Sequence, residues 1–225
     1  MRVSASPGVV LAALLAAAAA IGPAMGQPAV GPPGIGTPAL EPPAIRPTRD
    51  VAVEYQAQGR PDASGPAQSG LIRVFWGDHG AQARVEMAGM PTWGIINLAR
   101  ARMIVVFAQQ HGYVELPLDP NRIPGLSIPP GTKMTRVGSA TVAGLGCTVW
   151  RVRGPGDAGT ACITTDGLVL RAQGHGHEHG LSGNGTLRAV MVRYGPQPAA
   201  LFEPPAGFTR IDLPHIDLGP PGPAR

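Results

Sequence analysis

The sequence has few lysines, few aromatic residues and no run of basic residues. Lys133 is the one lysine beside seventeen arginines, and ten of the 225 residues are Phe, Tyr or Trp. Nucleic-acid binding requires a dense basic stripe or aromatic side chains on which bases stack. The arginines stand singly along the chain, and the formal net charge is only +4. We therefore expect no nucleic-acid partner.

The motifs of the common enzyme classes are also missing. The chain has no Gly-x-Ser-x-Gly, no His-Glu-x-x-His and no Gly-x-x-x-x-Gly-Lys. Glu54, Glu86 and Glu115 each stand singly between apolar residues, which is typical of a solvated strand face and not of an acid–base pair. We expect a protein that is not an enzyme, with no catalytic residue and no cofactor. A hydrolase whose residues lie far apart in sequence is an alternative.

The first 26 residues have the pattern of a secretory signal peptide. Arg2 precedes an apolar run over residues 9–21, and the small residues of Ala24-Met25-Gly26 are suited to cleavage. This run is shorter than the ~20 apolar residues that a transmembrane helix needs, and no later segment approaches that length. We expect cleavage near Gly26, a periplasmic or secreted protein, and a mature chain without a transmembrane segment. An uncleaved anchor is the alternative.

Proline separates a folded middle from two irregular ends. Eight of the 26 prolines lie between Pro23 and Pro47, and eight lie between Pro196 and Pro223. Proline fixes φ and removes an N–H donor, so such segments do not continue regular structure. We expect a Pro-rich linker over residues 27–48, one domain over residues 49–212, and a disordered Pro-rich tail over residues 213–225.

The middle of the chain shows the period of β-strands. Apolar residues alternate with period two, and no window keeps the period of an amphipathic helix. About eleven short strands follow one another, with one helical turn near residues 198–202. This pattern predicts a mostly β fold, in which a strongly curved antiparallel sheet forms a half-barrel or open barrel with at most one or two short helices.

One hairpin has a clear turn signal. Asp166-Gly167 stands between two β-like runs, and these residue types favour a two-residue type I′ turn. In that turn Thr165 is opposite Leu168.

The two cysteines, Cys147 and Cys162, are most simply one disulfide in an exported protein. Directly opposed strand residues bring their Cα atoms within the ~5.5 Å that a disulfide needs, so we expect the two cysteines to face each other. In this register Trp150, Ile163 and Leu170 share one buried face. Arg151 and Arg171 lie on the opposite face.

Three histidines, His175, His177 and His179, alternate in a glycine-rich segment that we interpret as a loop between two strands. Imidazoles at this spacing can converge on Zn²⁺, Cu²⁺ or Ni²⁺, with Glu178 as an oxygen ligand. A solvated polar loop is the alternative, because ordering a flexible segment costs ~1–2 kcal/mol per residue. Metal binding by this segment is a second functional hypothesis.

Three short motifs resemble a bacterial family of exported domains of unknown function. They lie at residues 142–147, at Cys162 with the strand after Asp166, and at residues 201–208. The last ends in a Phe-x-x-Pro-x-Gly-aromatic element, formed by Phe202, Pro205, Gly207 and Phe208. Those domains are similar to the lipoprotein-carrier and lipoprotein-receptor (LolA/LolB-like) fold. The resemblance covers residues 49–212 and implies a half-barrel whose concave side takes up apolar chains.

The inward positions of such a sheet offer an apolar cleft, which is the usual kind of ligand site. We therefore expect an exported binding or envelope-associated protein whose partner is an apolar small molecule, a lipid or an envelope protein. The residues predicted to bind the ligand are Tyr55, Val74, Trp76, Phe107, Trp150 and Leu170. A structural envelope scaffold is the alternative, because the same residues can form a plain packed core.

Overall fold

The computed structural model describes residues 43–60, 66–119, 126–154, 157–178 and 181–212. Twelve strands form one sheet in the order β12-β6-β5-β4-β3-β2-β1-β11-β10-β9-β8-β7. The strands are β1 Val51–Arg60, β2 Gln68–Gly77, β3 Gln82–Met87, β4 Thr92–Asn97, β5 Arg102–Phe107, β6 Gly112–Pro117, β7 Lys133–Val142, β8 Leu145–Arg153, β9 Ala158–Ile163, β10 Val169–Glu178, β11 Leu181–Tyr194 and β12 Thr209–Arg210.

The sheet is open, with β7 at one edge and β12 at the other. Its ladders are antiparallel, apart from the short β12, which pairs parallel to β6. In the described ranges the helical residues form only 3₁₀ turns, Asp78–Gly80 and Ala199–Phe202. The predicted mostly β, open curved sheet is confirmed, and the helical turn expected near residues 198–202 is the second 3₁₀ turn.

A large apolar core lies on one face of the sheet, which we call the inner face. In β1 the residues Val51, Val53, Tyr55 and Ala57 are buried, and they alternate with more exposed residues. Strands β1–β5 and β7–β11 all contribute apolar side chains to this one cluster. Because strands far apart in the sheet meet in it, the sheet curves around the inner face.

The connection from β6 to β7 contributes to the same core. These two strands lie near opposite edges of the sheet. Leu118 and Leu126 of this connection are buried in the large core. Part of the inner face is therefore covered by the chain itself.

A smaller core lies on the outer face of β4 and β5. It contains Ile95, Ile104, Val106 and Phe202, with Phe208 packed against them. The segment after β11, which carries the Phe-x-x-Pro-x-Gly-aromatic element, therefore packs on the outer face.

The turn at Asp166-Gly167 has three residues in its loop, so the predicted two-residue type I′ turn is wrong. The Thr164 N–H donates to the Leu168 carbonyl at 2.9 Å, so Thr164, and not Thr165, is opposite Leu168. Gly167 has a φ of 90°, as in the three-residue hairpin that ends on a left-handed glycine. Thr164 favours this loop, because its hydroxyl accepts the Leu168 N–H at 2.9 Å.

This difference of one residue turns the side chains of β10 to the other face. Val169 is opposite Ile163, so Leu170 lies on the inner face while Ile163 and Trp150 are buried on the outer one. The prediction that Leu170 shares a face with Trp150 and Ile163 is therefore wrong. Arg171 lies on the outer face with Trp150, where we did not expect it.

The Cys147–Cys162 disulfide is confirmed, with Cα atoms 5.4 Å apart. Cys162 is opposite Val149, so the two cysteines do not face each other directly and the bridge runs diagonally between β8 and β9. A shift of two residues keeps every side chain on its face. For this reason Trp150 is buried and Arg151 exposed, as the sequence predicts.

The segment before β1 packs across one end of the sheet, and we call residues 43–50 the strap. Two glycines with positive φ lie against its carbonyls. A Cβ at Gly80 would lie 2.1 Å from the Pro47 oxygen, and one at Gly167 would lie 2.2 Å from the Arg46 oxygen. Pro47 is buried. The strap therefore joins the β2–β3 turn to the β9–β10 loop.

The carboxylate of Asp166 fixes the strap to the sheet. It accepts hydrogen bonds from Arg49 Nε at 3.2 Å, from the Tyr194 hydroxyl at 3.2 Å and from the Thr164 hydroxyl. Burial alone would raise the pKa of Asp166, but these hydrogen bonds and the Arg49 charge outweigh it and lower the pKa below its usual value.

We expect this network to stabilise the fold only while Asp166 is ionised. Because its pKa is lowered in the folded state, the contribution is fully present above the unfolded-state pKa of ~3.9 and is lost as pH falls through the folded-state value. Thermal unfolding should show Asp166→Asn less stable than wild type at neutral pH, with a smaller difference at pH 2. The same difference at both pH values would contradict this role.

Candidate functional site

Most of the inner face is apolar, but its coverage is uneven, and the exposed Lys133, Thr135, Arg151 and Arg153 lie on this side at one end of β7 and β8. Over β1 and β10 it is closed, since Val51 and Leu170 are each 0% exposed. Over β3–β5 four apolar side chains are only half-buried, namely Val85, Met87, Val105 and Phe107. This second region is an apolar part of the inner face that the chain leaves partly uncovered.

Gly94 lies at the centre of this region. It is directly opposite Val85 on β3 and Val105 on β5. Val85 packs against the large core, so Gly94 also faces inward. No atom lies within 4 Å of the position that its Cβ would take. We call Gly94 with Val85, Met87, Val105 and Phe107 the apolar floor.

Five of the six predicted ligand residues lie on the inner face. Tyr55, Trp76 and Leu170 are buried in the large core, and Val74 is packed against it. Phe107 is half-buried and belongs to the apolar floor. On the inner face, four of the predicted ligand residues therefore belong to the core, and Phe107 alone lies on the more open surface.

Tyr55 is one of the predicted ligand residues that the structure places in the core. Its hydroxyl donates to the Val169 carbonyl at 2.8 Å, and burial raises the pKa of Tyr55. A neutral, hydrogen-bonded tyrosine in this position holds β1 against β10. We assign it a structural role.

Trp150 lies on the outer face, opposite Ala161, and so does not line the inner surface. The sequence reasoning also missed Gly94, Val85 and Met87. The signal that could have found them is Gly94 itself, since a glycine inside a β-branched strand often marks a close approach or a bound ligand.

A cavity of about 270 Å³ lies at the β3–β4 hairpin and shares Met87 with the apolar floor. It is lined by Arg73, Arg84, Glu86, Met87, Ala88, Gly89, Met90, Thr92 and Trp93. Its charges are already paired. Arg84 Nε lies 2.7 Å from Glu86, and Arg73 Nε lies 3.1 Å from Glu54. The Arg84 guanidinium also stacks over the Trp93 ring, 4.5 Å from its centre. This cavity offers a ligand no unpaired arginine.

The histidine segment is strand, so its interpretation as a loop is wrong. β10 continues to Glu178 and pairs with β11 from Leu181, with His175 opposite Asn184. Glycines face glycines across this hairpin, which allows regular pairing where we expected a loop. Among the residues with a described position, no group of three His, Cys, Asp or Glu could hold a metal. His179 lies outside the described residues, and metal binding stays a prediction.

No helix within the described ranges is long and apolar enough to span a membrane. The predicted signal peptide and tail lie outside those ranges. The disulfide is typical of exported proteins.

No protein-family model matches the chain, and no curated protein is significantly similar to it. Solved structures with a similar fold include an uncharacterised conserved protein from Thermus thermophilus, with 13% identity, a TM-score of 0.48, and coverage of 73% of this chain and 90% of that one. The open antiparallel sheet described above confirms the half-barrel fold that the expected resemblance implies.

Two further structures belong to this comparison. MucB has 13% identity and a TM-score of 0.44, with coverage of 72% of this chain and 59% of that one. A LolA superfamily protein from Nitrosomonas europaea has 9% identity and a TM-score of 0.36, with coverage of 71% and 92%. The chain thus spans about 59% of the length of MucB, and these similarities concern the fold alone.

Proposed function

We propose that the protein is an exported, non-enzymatic binding protein of the periplasm that takes up an apolar ligand on the apolar floor. The observation that carries this proposal is the open space over Gly94, flanked by half-buried Val85 and Val105. Uncovered apolar surface inside a curved sheet favours burial of an apolar partner. The disulfide supports an oxidising compartment.

The shape of the floor favours a chain-like ligand. It spans three strands, β3–β5, and is therefore about 10 Å across. The side chains that form it, Val85, Met87, Val105 and Phe107, are all apolar. We therefore propose an acyl chain as the ligand, whose affinity rises with length because each buried CH₂ contributes about 0.8 kcal/mol.

Filling the space over Gly94 should remove binding while the fold is kept. We expect Gly94→Leu to weaken the binding of a fatty acid at least about tenfold, since the new side chain occupies the place of two or more CH₂ groups. Nothing lies within 4 Å of the new Cβ, so the variant should fold. Fluorescence titration with a fatty acid that displaces an apolar dye measures the effect.

Gly146→Leu is the matched control. Gly146 also has open space at its Cβ position, but it lies on β8 between the inward-facing Leu145 and Cys147 and points outward. It should bind like wild type. Equal loss in both variants, or a wild type that binds no fatty acid or dye, would contradict the proposal.

The second candidate is a structural envelope scaffold. It is favoured by the closed part of the inner face, where Leu118 and Leu126 of the β6–β7 connection are buried in the core. A wild-type protein that is stable, monodisperse and without affinity for acyl chains of any length would support the scaffold instead.

A further inference from the structure

Two arginines lie directly opposite each other on neighbouring strands. Arg171 on β10 is in register with Arg188 on β11. Like charges in this arrangement destabilise a sheet, because the β-carbons are only ~4.5–5.5 Å apart. In the described part of the chain neither guanidinium forms an ion pair with a carboxylate. Among the described residues, the outer face therefore holds a pair of positive charges without a neutralising carboxylate.

A third arginine extends this pair across the sheet. Arg136 on β7 is opposite Trp150, and Trp150 is opposite Ala161 on β9. The β9–β10 register then places Ala161 opposite Arg171. We call Arg136, Arg171 and Arg188 the arginine row. It spans four strand spacings, or about 19 Å.

The two halves of the sheet differ in how charge is compensated. On β1–β6 every strand carboxylate pairs with an arginine, in the pairs Glu54–Arg73, Glu86–Arg84 and Glu115–Arg102. Strands β7–β11 carry seven basic residues and one carboxylate, Glu178 at the far end of β10. Four of the seven, Arg136, Arg171, Arg188 and Arg193, lie on the outer face by register, and none of these four forms an ion pair within the described ranges. Such an asymmetry between halves points to an anionic surface as partner.

Exposed apolar side chains adjoin the arginine row. Val190 is 49% exposed and Met191 is 38% exposed, and both follow Arg188 on β11. Val190 is the extra residue of a bulge, since β1 pairs with Ala189 and Met191 on either side of it. Basic side chains beside exposed apolar ones are typical of surfaces that bind at a lipid interface.

We propose that the outer face of β7–β11 docks on an anionic lipid surface. The lipid phosphates would supply the missing counter-charge to Arg171 and Arg188, while Val190 and Met191 contact the apolar layer beneath. An acidic protein would satisfy the charges but would leave these two apolar side chains without a matching surface. This docking face is independent of the apolar floor, which lies on the opposite side of the sheet.

Sedimentation of the full chain with vesicles tests the proposal. We expect binding to vesicles that contain phosphatidylglycerol, little binding to pure phosphatidylcholine, and weakening by salt. Arg171→Gln/Arg188→Gln should bind about 25-fold more weakly, since each arginine at an anionic surface contributes about fivefold. Arg46→Gln/Arg100→Gln changes the net charge equally at exposed sites outside the row and should bind nearly as wild type.

A stability measurement separates a docking role from a folding role. Arg188→Gln removes the like-charge contact, so its melting temperature at low salt should be above that of wild type while vesicle binding falls. Equal binding to both kinds of vesicle, equal weakening in the two double variants, or binding to polyglutamate without binding to vesicles would overturn the proposal. Binding of fatty acid to the apolar floor should be the same in all of these variants.

Discussion

Replacing both Cys147 and Cys162 by serine is expected to lower the free energy of unfolding by about 2–5 kcal/mol, the usual effect of losing a native disulfide in a small exported domain. The bridge closes a loop between residues 15 positions apart, which restricts the unfolded chain. Both cysteines are also buried in the large core. Burying serine hydroxyls in their place therefore adds a desolvation cost to the free energy of folding. Urea unfolding of the oxidised wild type and the variant measures the difference.

Arg151→Ala is the control on the same strand. Arg151 is exposed, and a substitution at a solvated position away from caps and ion pairs should cost well under 1 kcal/mol. A double-serine variant as stable as this control would show that the disulfide does not stabilise the fold.

Gly167→Ala should lower the free energy of unfolding by about 2–5 kcal/mol, from two additive causes. An alanine in the left-handed region costs ~1–2 kcal/mol, and a crowded contact adds ~1–3 kcal/mol. The crowding arises because the new Cβ would lie 2.2 Å from the Arg46 carbonyl. The strap must therefore move away from the β9–β10 loop.

Gly144→Ala is the control that measures the cost of an alanine in the left-handed region alone. Gly144 has a φ of 78° and open space at its Cβ position, so it should show the backbone cost alone. Hydrogen exchange at the Thr48 amide, which donates to the Asp166 carbonyl at 2.9 Å, reports the strap directly. It should be accelerated in Gly167→Ala and not in Gly144→Ala. Equal stability of the two variants would mean that the strap does not pack as described.

The sequence predicts the architecture because the period of two survives in almost every strand. In β1, Val51, Val53 and Tyr55 alternate with polar or small residues, and all three are buried. The disulfide follows from the count of two cysteines and the expected compartment. These features depend on local pattern and composition, which a single sequence carries.

Register was less predictable, because it depends on one loop. Asp166-Gly167 suits both a two-residue and a three-residue hairpin, and the hydroxyl of Thr164 selects the longer one by bonding the Leu168 N–H. That bond joins residues four positions apart across the loop, and no periodic pattern reveals it. As a result, Leu170 and Arg171 each lie on the face opposite to the predicted one.

The apolar floor could be predicted in part from the sequence, whereas the arginine row could not. The inner face could be predicted as apolar, and its opening could have been suspected from Gly94 inside the β4 strand. The arginine row could not be read from the sequence, since Arg136 and Arg171 are 35 positions apart in the chain and meet only through the registers of four strands. Arginines that look scattered in sequence can therefore form one surface in a sheet.

Methyl NMR during a fatty-acid titration tests the binding proposal most directly, because β5 carries neighbouring reporters on opposite faces. Val105 belongs to the apolar floor, whereas Val106 is buried in the small core of the outer face. We expect saturable shift changes at the methyl groups of Val105 and Val85, with Val106 unchanged. Unchanged Val105 and Val85 signals at saturating ligand, or larger changes at Val106, would contradict a ligand site on the inner face.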